Sequence, residues 1–230
     1  MSVIAFAVLG AFWFGLEGTP PRLGFEDTDD PSVMVRFIRD HPAVFVQAGT
    51  ALLLMAVSLT IAVLAVAVLI TPRVDRVALL STSAFGLFAA GSFMFGGAVR
   101  IGSSGPLLHM AGLREEWGQA AYVAAQVASQ AVLIGGIFAL CVWTVGLSLV
   151  GARTKAIPLG LCILGIFPAF RIASSTLGPL GLLPDIDILW VISILSILGT
   201  IVWCVILGIV LLVQGFRPVD TPAPAAVAGT

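Results

Sequence analysis

From Ala43 to Thr71 the chain carries no ionisable side chain. A helix of about 20 apolar residues is enough to cross the hydrocarbon core of a bilayer, so this one segment already exceeds what a crossing needs. Similar runs follow it. No single aqueous core in a chain of 230 residues has room for all of them. Composition agrees: 59% of the residues are hydrophobic and 10% are charged, against about 25% charged in soluble domains, and the mean hydropathy is +1.12. The expected class is all-α, a polytopic membrane helix bundle. The net charge of −1 offers no basic surface for nucleic acid.

Six transmembrane helices are expected, near residues 2–18, 43–71, 77–99, 118–150, 157–177 and 188–214. Together they make one transmembrane domain over 1–215. The first is short, and neither a basic segment before it nor a small-residue cleavage site after it marks it as a removable signal. The Pro- and Ala-rich stretch 216–230 is expected to be a disordered cytoplasmic tail.

Orientation follows from Lys and Arg in the connecting loops. Arg73, Arg76, Arg153, Lys155 and Arg217 fall on one side, and Arg22, Arg36, Arg39, Arg100 and Arg114 on the other. The numbers tie. The first set is concentrated in very short loops with little acid, while the second shares its loops with most of the acidic residues. Both termini are therefore expected in the cytoplasm.

The expected outer loop 19–42 ends in DPSVMVRFIRDHP. Asp30 is a suitable N-cap and Pro31 a suitable first helical residue. Met34, Phe37 and Ile38 share one face. The segment reads as a short outer interfacial helix before span two, or as a connecting helix packed on the bundle. In span three, Gly86 and Ala90 are four residues apart, as are Ser92 and Gly96. Such spacing lets helix backbones approach closely in lipid and predicts a central, well-packed helix. The same stripe would serve a dimer; packing within the chain is the expectation.

Span four opens GQAAYVAAQVASQAVL. Gln119, Tyr122, Gln126 and Gln130 recur at helical spacing, which puts them on one face. Hydrocarbon offers amides no partner, so this face points into the bundle. Span five contains Arg171, roughly 9 Å below its outer end, level with Tyr122 and Gln126 at about 6 and 12 Å along span four. Pro168, three residues earlier, is placed to kink the helix. Gln47, Arg100 and Glu17 lie near the same level. The candidate ligand-binding residues are Arg171, Gln119, Tyr122, Gln126, Gln130, Gln47 and Arg100. Intramembrane charge is costly and is a default mark of function. The plainer reading is an arginine that snorkels to the interface or only orders the bundle.

Other chemistry finds little support. His41 and His109 both fall in expected outer loops, so haem ligation inside the bilayer has no histidines to use. No catalytic residue, metal ligand set or cofactor is expected. GSSG at 102–105 matches the nucleophile pattern of rhomboid proteases, but no later span supplies the histidine, and the stretch reads as a loop turn. Cys141, Cys162 and Cys204 sit in apolar runs and read as small buried side chains.

Three features form a recognisable layout: a short first span, DPSVMVRFIRDHP leading straight into span two, and TKAIPLGLCILGI, in which Pro158, Leu159 and Gly160 open span five after a short basic loop. The layout resembles a bacterial family of uncharacterised six-helix integral membrane proteins with a domain of unknown function. The resemblance covers nearly all of 1–215. It implies a multi-pass protein of the bacterial cytoplasmic membrane and supplies no activity or site residues.

Three functional classes remain. The chain binds a lipid-like or small amphipathic molecule or assists its transport, alone or as an accessory subunit of a larger membrane complex. Alternatively it is purely a structural or assembly subunit, or a membrane-embedded enzyme. The expected partners are membrane lipids and other membrane subunits.

Overall fold

A computed structural model describes residues 1–70, 76–155, 157–172 and 187–215, and among these there is no strand. The helices are α1 (Ser2–Glu17), α2 (Thr19–Arg22), α3 (Pro31–Asp40), α4 (Pro42–Ile70), α5 (Arg76–Leu113), α6 (Glu115–Thr154), α7 (Leu159–Leu164), α8 (Pro168–Ile172) and α9 (Asp187–Gly215). Of these, α4, α5 and α6 are long and apolar enough to cross a membrane, and Ser2–Glu17, Leu159–Phe170 and Leu198–Val213 form shorter apolar helices. The expected disordered tail 216–230 and residues 71–75, 156 and 173–186, which include the expected outer end of span five, lie outside the described residues.

The bundle is organised around α5, which packs along both α4 and α6, while α1 lies against α4 and α9. Small residues set the spacing. At the α4–α5 crossing a Cβ on Gly97 would stand 2.6 Å from the Gly49 carbonyl oxygen, and one on Gly49 would stand 3.0 Å from that of Gly97. A Cβ on Gly86 would meet Val63 of α4 at 2.5 Å and Trp143 of α6 at 2.9 Å, and one on Gly136 of α6 would meet Ser92 at 2.6 Å. The small-residue stripe of α5 thus packs within the chain, as expected of a central helix.

Two expected boundaries are revised. The stretch 100–117 is not a loop: α5 runs unbroken through GSSG to Leu113, and α6 begins at Glu115. The Ser103 and Ser104 hydroxyls donate back to the carbonyls of Arg100 and Ile101, at 3.3 and 2.7 Å, and Pro106 is accommodated inside the helix. Packing overrides the turn-forming composition here, because Leu107 is buried against α3 and the start of α4 in a cluster with Val35, Phe37, Ile38, Phe45 and Tyr122. With 38 and 40 residues, α5 and α6 are each about 57–60 Å long, roughly twice the hydrocarbon thickness. Exposed apolar side chains are dense on α5 from Val77 to Phe95. The remainder forms a helical hairpin that projects past this stretch, closed by a one-residue turn at Arg114.

The second revision concerns span five. It is interrupted rather than continuous: α7 ends at Leu164, residues 165–167 turn, and α8 starts at Pro168. Gly165 has no room for a side chain, since a Cβ would collide with the Ser148 hydroxyl and the Trp203 indole. The Leu161 and Phe167 carbonyls at the break accept the Gly165 and Phe170 backbone N–H groups, and α9 adds a side-chain donor to each. The Trp203 Nε1–H donates to the Leu161 carbonyl at 3.0 Å, and the Ser196 hydroxyl to the Phe167 carbonyl at 3.1 Å. Trp203 is fixed in turn by an edge-on contact with Trp143, with ring centroids 5.9 Å apart.

The α3 helix forms where the sequence places it. Asp30 caps it, its carboxylate accepting from the Ser32 backbone N–H at 2.7 Å. That bond, with the Ser32 hydroxyl, holds the Asp30 carboxyl below its ordinary pKa. Its buried face comprises Val35, Phe37 and Ile38 and packs on the α5–α6 hairpin, so α3 takes the packed rather than the purely interfacial arrangement.

Candidate functional site

Arg100 lies on α5 just beyond the run of exposed apolar side chains that ends at Phe95. Although charged, it is only 5% exposed. Its Nη1 donates to Oε1 of Glu17, the last residue of α1, in an ion pair across the bundle. The two side chains are unequal: Arg100 is 6% exposed and Glu17 34%. The Arg100 Nε–H is buried with no partner. Because Glu17 ends its helix, it sits at the negative pole of the helix dipole, which disfavours a carboxylate there; the guanidinium is what holds it in place.

Two cavities meet at this pair. One, of about 280 Å³, lies under α3 and is lined by Glu17, Arg100, Tyr122, Gln126, Gln130 and Asp29, with apolar side chains of α3 and α4 between them. The other, of about 320 Å³, lies inside the bundle among α1, α4, α5, α6 and α9. Its walls are mostly apolar, including Phe6, Trp13, Met55, Phe93 and Leu133, and Glu17 is its acidic wall residue. The Trp13 Nε1–H on that wall is buried without a partner. Glu17 is the one residue that lines both of these cavities, the polar and the apolar.

Among the residues singled out from sequence, Arg100, Tyr122, Gln126 and Gln130 converge on the polar chamber. Gln119 is half-buried one turn before Tyr122 and outside the lining, and Gln47 is exposed on α4. Arg171 lies on α8, which packs against α6 and α9; its side chain lies outside the described residues. Sequence reasoning missed Asp29 and Trp13. Asp29 belongs to an acidic loop in which no position stands out, and Trp13 reads as an ordinary interface anchor. Of the two histidines expected in outer loops, His41 follows α3 and packs edge-on to Phe25, with centroids 6.0 Å apart, whereas His109 lies on α5 and is exposed.

The profile of a family described as a domain of unknown function, DUF4386, matches residues 3–215. The chain belongs to the DUF4386 family. The DUF4386 match spans all nine helices named above, so both chambers and the ion pair lie within the family's own region. No curated protein and no solved structure matches the chain.

Proposed function

We propose that this DUF4386 protein is a non-enzymatic, six-helix protein of the bacterial cytoplasmic membrane that binds a lipid-like or small amphipathic molecule, or assists its transport. It acts alone or as an accessory subunit of a larger membrane complex. In this reading α1, α4, α5, α6, the interrupted α7–α8 unit and α9 are the six crossings, both termini are cytoplasmic, and the hairpin tip with its polar chamber faces outward.

One observation carries the proposal: a polar and an apolar chamber are both lined by Glu17, the ion-pair partner of Arg100. Ligand sites are mostly apolar clefts of about 300–1,000 Å³ with a few placed polar groups. The pair of chambers fits that description for a molecule with a greasy end and a polar end.

Native mass spectrometry of the chain extracted in mild detergent tests this. A co-purifying amphiphile is expected on the wild-type chain and is expected to be lost in Gly10→Leu, since Gly10 lines the apolar chamber and the added side chain fills it. A wild-type chain carrying no amphiphile would remove the proposal, as would one carried equally by Gly10→Leu. Stoichiometric partner proteins in place of the amphiphile would favour the assembly-subunit reading.

A further inference from the structure

Resting on that amphiphile-binding reading, we infer that the ligand's polar end is an anion, a carboxylate or a phosphate, that binds Arg100, and that Glu17 occupies the anion's place until the ligand displaces it.

The argument starts from the unequal exposure of the pair. A buried charge left without a partner is strongly unfavourable, so whichever side chain cannot reach water dictates what the site must supply. That side chain is Arg100, 6% exposed against 34% for Glu17. Glu17 has a way out. It is the last residue of α1, and Gly18 follows it directly. Two residues before it, Gly15 has open space around its Cα. Loosening the last turn of α1 swings the carboxylate toward solvent and relieves its position at the helix's negative pole. Arg100 has no such route, because it sits mid-helix in α5 between α4 and α6.

The guanidinium is also under-used. Arginine offers five N–H donors in a planar fork suited to two-point binding of carboxylate or phosphate. Here Nη1 meets Glu17 and the buried Nε–H meets nothing. A ligand anion seated on the fork uses the idle donor, and Tyr122, Gln126 and Gln130 surround the same chamber. Asp29 also lines it but is exposed at the rim, where solvent screens its repulsion.

Displacement of Glu17 has a geometric consequence. Glu17 lines both chambers, so its displacement alters a wall of each. The anion then rests on Arg100 while an acyl chain enters the apolar chamber past Trp13 and Phe6.

The test measures binding of radiolabelled dodecanoate to the purified full-length chain, with competition by dodecyl phosphate, dodecanol and inorganic phosphate. A charge-assisted hydrogen bond is worth about 1.5–3 kcal/mol, so Arg100→Gln is expected to weaken dodecanoate binding roughly 10- to 100-fold. Dodecanol is expected to compete at least about tenfold more weakly than dodecyl phosphate, on the same reasoning. Glu17→Gln removes the resident competitor and is expected to tighten dodecanoate binding. Arg100→Lys keeps the charge and the Glu17 pairing but lacks the fork. It is expected to bind with intermediate affinity, and it decides the matter if Arg100→Gln does not fold. Loss of binding in Glu17→Gln overturns the displacement idea. Equal competition by dodecanol and dodecyl phosphate overturns anion recognition while leaving amphiphile binding intact. Inorganic phosphate competing as well as dodecyl phosphate shows a site for free anions and overturns the lipid-headgroup source. A wild-type chain that binds no amphiphile overturns this inference and the proposed function together.

Discussion

Gly97 offers the sharpest test of the packing. A Cβ there would lie 2.6 Å from the Gly49 carbonyl oxygen and 3.1 Å from both Leu52 Cβ and Leu53 Cγ. The closest obstacle is backbone and cannot rotate away. Restoring ordinary contact, near 3.4 Å, requires α4 and α5 to separate by several tenths of an ångström over a long interface. Overpacking of this kind costs about 1–3 kcal/mol. Gly91 supplies the control: it lies six residues earlier on α5, exposed, with nothing within 4 Å of a built Cβ. Glycine to alanine in a helix interior gains roughly 0.5–1 kcal/mol at either position, so the difference between the two variants isolates the crossing. Gly97→Ala is expected to be about 1–3 kcal/mol less stable than Gly91→Ala, read by thermal or denaturant unfolding in one detergent. Equal stability of the two variants would refute the close crossing. Arg100 is one turn beyond Gly97, so Gly97→Ala is also expected to disturb the ion pair with Glu17.

Trp203→Phe keeps most of the ring but removes one of two donors to the Leu161 carbonyl, which still accepts from the Gly165 N–H; the lost hydrogen bond is expected to cost about 0.5–1.5 kcal/mol, measurable in the same unfolding assay. Asp30→Ala removes the α3 cap and is expected to cost about 1 kcal/mol, seen as faster amide exchange in 32–35. The Asp30 carboxyl is lowered on folding. Its contribution is therefore complete above the ordinary aspartate value near ~3.9 and is lost as pH falls through the lower folded value. Asp30→Asn, which keeps the cap acceptor, is expected to abolish that dependence. In ligand-free protein, Glu17→Gln leaves Arg100 without its counter-charge. Breaking a buried pair costs about 3–5 kcal/mol; Glu17 is 34% exposed, so a smaller loss is expected, restored by added dodecanoate.

Local signals were legible where local chemistry decides the outcome. Asp30 and Pro31 start α3 in the sequence and in the structure, and the Gln and Tyr face of α6 turns inward because lipid cannot solvate it. The small residues of α5 mark a close crossing for the same local reason. The sequence is less informative where distant packing decides. Gly102, Ser103, Ser104, Gly105 and Pro106 read as a turn, yet burial of Leu107 against α3 keeps them helical. Pro168 signals a kink, but the break at Gly165 depends on Trp203, Ser148 and Ser196 from other helices. Arg100 is a candidate on its own residue type. Its partner Glu17 is 83 positions away; depth along the helices puts both near one level, but as neighbours of Arg171 rather than as a pair.

The one-residue turn at Arg114 limits where motion can arise. It ties α5 to α6 without slack, and directly beside it Gly118 nestles so closely on Ala111 that a side chain there would collide. Two long helices joined this tightly cannot slide past one another or splay at the tip; they behave as a fixed post. The proposed displacement of Glu17 must then come from α1, by opening a last turn closed by the Gly18 N–H on the Phe14 carbonyl and the Thr19 hydroxyl on the Gly15 carbonyl.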